Sequence, residues 1–134
     1  MPRFPKYLLA CALALASVTA PAAAQEAPAP QDVQPTPYDA DLQRLAEILG
    51  TLQYLRTICH ANDGQKWRNQ MQGLLDAEAP DGERHRKIVA SFNRGYQGFQ
   101  QTYRTCTPAA DLVIRRYLDE GFRIARDITA RYAN

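Results

Sequence analysis

Three cysteines, two histidines and one tryptophan are the scarce side chains of this 134-residue chain, and their spacing limits the chemistry open to it. Cys11 lies in an apolar N-terminal run, which leaves Cys59 and Cys106 as a pair for the folded part. An even pair in an exported chain usually forms a structural bridge. His60 follows Cys59 directly, but no C-x-x-C-H, C-x-x-C or H-x-x-x-H pattern occurs, so haem attachment and zinc binding lack their ligand spacing. No metal and no cofactor is expected. A hydrolase elbow, a phosphate loop and a dinucleotide fingerprint are also missing, and no catalytic residue is assigned. His85 stands one heptad before Phe92 and so points toward the core, where a hydrogen-bonded histidine is the simpler reading.

Three further residues are candidates for binding. Arg56 projects within about 40° of Leu52 at 100° per residue, on an apolar stripe, and shares a pole with Trp67 and Arg68. It suits either a guanidinium stacked on Trp67 or paired with a carboxylate, or an anchor for an anion in a pocket. Glu78 falls in line with Trp67 and Met71 at the opposite pole, where Arg84, His85 and Arg86 cluster. An ion pair is expected there, since acid catalysis needs a second positioned group and a cleft.

The segment Phe92-Asn93-Arg94-Gly95-Tyr96-Gln97-Gly98-Phe99 holds two glycines inside a helical pattern, each costing about 1 kcal/mol relative to alanine. Gly95 flanks the aromatic stripe and suits close approach of a neighbouring helix. Gly98 lies nearer the exposed side and leaves room for a partner. Gly121, central to the last stripe, is expected to admit a large ring such as Trp67 or Tyr96. Arg115, Arg116, Arg123 and Arg126, broken by Asp119 and Glu120, form a basic face that Arg94 and Arg104 extend. That face is either simply solvated or docks an acidic partner or an anionic envelope polymer.

These residues need helices to position them. Leu42, Leu45, Leu49, Leu52, Leu55 and Cys59 recur at three- and four-residue steps and predict a first helix from Asp39, capped by Asp39 or Asp41 and ended by Asn62-Asp63-Gly64. Trp67, Met71, Leu74, Leu75 and Glu78 mark a second, broken at Ala79-Pro80-Asp81-Gly82. Ile88, Val89, Phe92, Tyr96, Phe99 and Tyr103 mark a third, with Asp81 as its expected cap. Thr107-Pro108 opens a fourth, whose stripe runs Ile114, Tyr117, Leu118, Gly121, Ile124, Ala125, Ile128 and Tyr132. Short connections predict an all-α, up-down-up-down four-helix bundle. In that topology the ends of the first and third helices share a pole, so a Cys59–Cys106 bridge fits.

Ahead of the helices, residues 1–24 read as a cleaved signal peptide: Arg3 and Lys6, an apolar run from Tyr7 to Val18, then Ala22-Ala23-Ala24. Residues 25–38 are Pro-rich and poor in large apolar groups, a disordered leader, and residues 39–134 form the helical domain. The run is too short for a stable membrane anchor, and the periplasm is the expected location. Cleavage removes two of 16 basic residues, leaving 14 against 14 acidic ones. That neutrality argues against a nucleic-acid partner.

Taken together, Leu52-x-x-Leu55-Arg56-x-x-Cys59, Trp67-Arg68-x-x-Met71-x-x-Leu74-Leu75-x-x-Glu78, Phe92-Asn93-x-Gly95-Tyr96-x-x-Phe99, Tyr103-x-x-Cys106 and Ala125-Arg126-x-Ile128-x-x-Arg131-Tyr132 resemble a family of small exported α-proteobacterial helical proteins, a domain of unknown function. The resemblance implies an envelope location and a helical fold, and carries over no activity or site residue. The function expected is a non-enzymatic adaptor or regulator that binds another envelope component. The alternative is a small-ligand binder or enzyme with an inter-helix pocket around Arg56, Trp67 or Glu78.

Overall fold

A computed structural model describes residues 34–133, so the expected signal peptide and most of the leader lie outside the described residues. Four helices account for the domain: α1 (Asp39–Ile58), α2 (Gly64–Glu78), α3 (Gly82–Thr102) and α4 (Pro108–Tyr132). They run up-down-up-down, and the Cys59–Cys106 disulfide, with Cα atoms 4.8 Å apart, joins the ends of α1 and α3.

The packing is less even than in a square bundle. α1 is a hub that α2, α3 and α4 surround, and its pairing with α3, diagonal in a square bundle, is the most extensive. No backbone of α4 comes close to α2 or α3. The sequence of α1 accounts for this. Ile48 to Leu55 contains no charged residue, and every position in that run is buried. A helix buried all round belongs at the centre. The single stripe expected of the first helix is therefore only part of its buried surface.

Two glycines permit the α1–α3 approach. A Cβ on Gly50 would collide with the carbonyl oxygen of Phe92, and one on Gly95 with that of Glu47. The role expected of Gly95 is thus observed, and Gly50 is its reciprocal partner. Gly121 does not make room for Trp67 or Tyr96: its added Cβ would lie 3.2 Å from Ile48 Cγ2 and 3.6 Å from Leu45 Cδ1. It seats α4 on aliphatic side chains of α1. Opposite that contact, the Tyr54 and Tyr96 rings meet edge to face at 5.4 Å, and the Tyr54 hydroxyl donates to the Tyr103 carbonyl.

The helix ends differ from expectation in detail. Tyr38, not Asp39 or Asp41, is the N-cap of α1; Asp39 instead accepts from the backbone N–H and hydroxyl of Thr36 at 3.1 and 2.6 Å. Thr36 and Tyr38, within the expected leader, are thereby tied to the domain. α1 ends at Ile58, three residues earlier than the Asn62-Asp63-Gly64 signal implies. His60 adopts φ 59°, its N–H reaches Thr57 O at 3.2 Å, and the Ala61 N–H reaches Arg56 O at 2.9 Å. This is the paired bonding of a Schellman C-cap with histidine where glycine is usual. Asp81 occupies the N-cap of α3 without a side-chain bond. Thr107 caps α4 as expected, accepting from the Ala110 N–H at 3.1 Å, with Pro108 behind it.

Candidate functional site

The charged candidates are engaged in holding the poles together. Arg56 pairs with Asp63, its Nε donating to both carboxylate oxygens at 3.1 and 2.9 Å. Arg56 hydrogen bonding holds the Asp63 carboxyl below its usual range, outweighing the opposing effect of burial. Arg56 thus fastens the α1–α2 turn and is not among the residues that line the groove described below. At the other pole Glu78 accepts from the Tyr38 hydroxyl at 3.2 Å and from Arg84 Nη2 at 3.4 Å, while Arg84 Nε reaches Asp39 at 2.6 Å. The Arg84 guanidinium lies over the Tyr38 ring at 5.6 Å, and Tyr38 packs on Tyr132 at 4.7 Å. One arginine therefore gathers the start of α1, the end of α2 and the start of α3, with the end of α4 laid on top. Burial raises the Asp39 carboxyl, but Thr36 and Arg84 outweigh it and the net shift is downward. His85 Nδ1 lies 2.8 Å from the Ala79 carbonyl oxygen, hydrogen-bonded as expected, but the residue is half-buried and lies outside the core.

Sequence reasoning missed a third clamp. Arg44 of α1 grips Glu120 of α4 with a fork, Nε to Oε1 at 2.7 Å and Nη2 to Oε2 at 2.9 Å, and stacks 5.0 Å from the Tyr117 ring centre. The Arg44 hydrogen bonds lower the Glu120 pKa despite its partial burial. No helical stripe predicts this contact, because both residues sit at the edge of their apolar faces.

Trp67 is placed differently from Arg56 and Glu78. Its ring is buried, and its indole N–H makes no hydrogen bond of normal geometry, although its dipole still favours the nearby Asp63 carboxylate. One side of the ring forms the wall of a groove between α2 and α4. The floor of that groove is Leu45, Leu49 and Leu52 of α1, the α2 wall continues through Gln70, and the α4 wall is Leu118, Gly121 and Phe122. A second lobe runs on past Gly73, Leu74 and Ala125, sharing Leu45, Leu49 and Gln70 with the first. The lobes measure about 340 and 320 Å³. Three helices thus turn heptad-spaced apolar positions toward one trough that none of them fills.

The other candidates lie apart from the groove. Gly95 is sealed against α1. Gly98 faces open space, with the exposed Gln97 and Gln101 nearby rather than an apolar patch. Arg115 and Arg116 are exposed on α4, and Arg123 pairs with Asp119 at 3.4 Å. One group of three metal-type donors is found among the described residues: Cys59, Cys106 and Asp111, within 4.8 Å of one another. Both sulfurs are joined in the disulfide, which removes the thiolates a metal would require. The groove lining as a whole is largely apolar, with Lys66, Gln70 and Tyr117 as polar residues among it.

Among the described residues no helix is long and apolar enough to cross a membrane. No curated protein matches the chain. No solved structure matches it either. A family model, protein of unknown function (DUF2385), matches residues 37–132, the span from the Tyr38 anchor to the end of α4, and the chain belongs to that family.

Proposed function

We propose that this protein is a non-enzymatic adaptor of the cell envelope, exported by cleavage of residues 1–24, that receives an apolar helical segment of another envelope protein in the groove between α2 and α4. The observation that carries this reading is the trough itself. Leu45, Leu49 and Leu52 form an aliphatic floor flanked by Trp67 and Phe122, in the manner of grooves that accept amphipathic helices. The cation that lines it, Lys66, beside the Trp67 ring, suits a partner that is acidic next to its apolar stripe.

Gly73 offers a test that leaves the fold alone, because a side chain added there meets nothing within 4 Å and projects at the groove. Gly73→Phe should plug the second lobe and reduce capture of the partner from periplasmic extract at least tenfold, with the melting temperature unchanged or raised. Lys66→Glu should weaken the same capture by a smaller factor. Equal recovery by the parent and Gly73→Phe would refute the groove as the binding site.

A second reading rests on the size of the trough. Each lobe falls at the lower end of the range for small-molecule sites, which suits an apolar ligand. Native mass spectrometry of the exported protein separates the two, since a ligand would appear as a discrete mass adduct absent from Gly73→Phe.

A further inference from the structure

We infer that the outer face of α4 is a self-pairing surface, on which a second copy of this chain docks antiparallel with its α4 across the first. This goes beyond the groove reading and uses a different set of residues. The three large apolar side chains exposed among the described residues, Leu112, Phe122 and Tyr132, all belong to α4. Phe122 is 67% exposed at the middle of the helix. A single exposed ring is ordinary on a protein surface. What distinguishes this one is its flanks.

Arg115, Asp119, Phe122, Arg126 and Thr129 follow one another at steps of four, three, four and three, the spacing of a seam that meets another helix. All five are exposed, and the Arg126 guanidinium lies 5.7 Å from the centre of the Phe122 ring. A two-fold interface must be complementary to itself, residue i meeting j while j meets i. The stripe satisfies that condition. With the axis at Phe122, the two rings meet, Asp119 comes across from Arg126 of the second copy and Arg126 across from its Asp119, and Arg115 faces Thr129. Both charge pairs are opposite in sign, and no like charges oppose each other along the seam. Asp119 has a 74% exposed side chain, and its intramolecular pair with Arg123, at 3.4 Å between two exposed groups, is weak enough to exchange for one across the seam. Because Phe122 is also the α4 lip of the groove, pairing lip to lip would set two grooves in one particle.

The test is charge reversal with exchange. Sedimentation velocity of the mature protein, over concentrations on the order of 10–200 µM to suit a small interface, should show a monomer–dimer equilibrium. Asp119→Arg makes all four residues of the two crossing pairs cationic and Arg126→Asp makes all four carboxylates, so each alone should dimerise at least tenfold more weakly than the parent. An equimolar mixture of the two should recover a heterodimer, because every crossing pair is then opposite in sign, and Phe122→Ser should leave monomer. Unchanged helical circular dichroism in each variant excludes unfolding as the cause. A parent chain that stays monomeric throughout overturns the inference, as does a dimer indifferent to both reversals. The groove reading stands or falls separately, since Gly73→Phe does not touch the seam.

Discussion

Three glycines in equivalent helical settings have opposite consequences, and only contact decides which. Gly50 and Gly95 sit where α1 and α3 touch backbone to backbone, so a methyl group at either would strike a carbonyl oxygen. Gly98, three residues on, faces open space. Gly95→Ala should therefore lower unfolding free energy by about 2–4 kcal/mol as the helices are forced apart. Gly98→Ala should raise it by about 0.5–1 kcal/mol through helix propensity and a less flexible unfolded chain. Urea denaturation of both variants measures the difference, and equal signs would contradict the packing. The sequence showed that two glycines in one turn required a reason. It could not show Gly50, whose reason lies on a helix 45 residues away.

The ion pairs make their own residue-scale prediction. Asp39, Asp63 and Glu120 all have carboxyl pKa values held below their ordinary ones, Asp39 by Thr36 and Arg84, Asp63 by Arg56 and Glu120 by Arg44. A depressed carboxyl contributes stability that is complete above its unfolded value and is lost as pH falls through the folded one. Stability should thus be flat from neutrality to about pH 5 and decline below about pH 4. Thermal melts across that range test the sign. Asp39→Asn should blunt the acid decline, because that variant has one such carboxylate fewer to protonate.

At the scale of elements, four helices were legible because each has a periodic stripe and a break composed of Gly, Pro, Asn or Asp. Their positions within a residue or two were legible where side chain and backbone cooperate, as at Thr107-Pro108. They were not legible where tertiary contacts compete: Asp39 turns back to Thr36 and Arg84 rather than capping its own helix. The centrality of α1 was written in the charge-free run from Ile48 to Leu55, a pattern that a stripe-based reading treats as a redundant apolar face. The end of α1 holds a local conflict. His60 closes the C-cap at φ 59°, a left-handed conformation that costs a side-chain-bearing residue about 1–2 kcal/mol. His60→Gly should relieve most of that, offset in part by the greater freedom of glycine in the unfolded chain, for a net gain of about 0.5–1 kcal/mol. A loss of stability in chemical denaturation would mean that the histidine ring makes a contribution beyond its backbone.

Across the whole molecule, the two poles are closed by different chemistry while one flank is left open. Arg84 with Tyr38 and Tyr132 closes one pole, and Cys59–Cys106 closes the other. Between them α4 is held to α1 by Arg44–Glu120 and meets α3 through the Phe99 and Tyr117 rings at 5.5 Å, with no close backbone approach to α2, which is why the α2–α4 gap persists as a groove. Hydrophobic periodicity identified Leu45, Leu74 and Leu118 as inward-facing but is silent on whether anything covers them, so the candidate site was not readable from the chain. The same asymmetry sets the role of the disulfide. It closes a loop of 47 residues, worth ~4 kcal/mol in the chain-entropy model, and it also fixes Cys106, the residue from which α4 departs. Replacing both cysteines by alanine should cost about 2–5 kcal/mol in urea denaturation. The loss should not be uniform in native-state hydrogen exchange. Amides of Ile48–Leu55, buried on every side, should still exchange only through global unfolding. Those of α4 should become the first to open, because one of its two end attachments is gone. If α4 and α1 instead lose protection together, the groove-bearing helix is integral to the core, and the open flank is not a weakness in the fold.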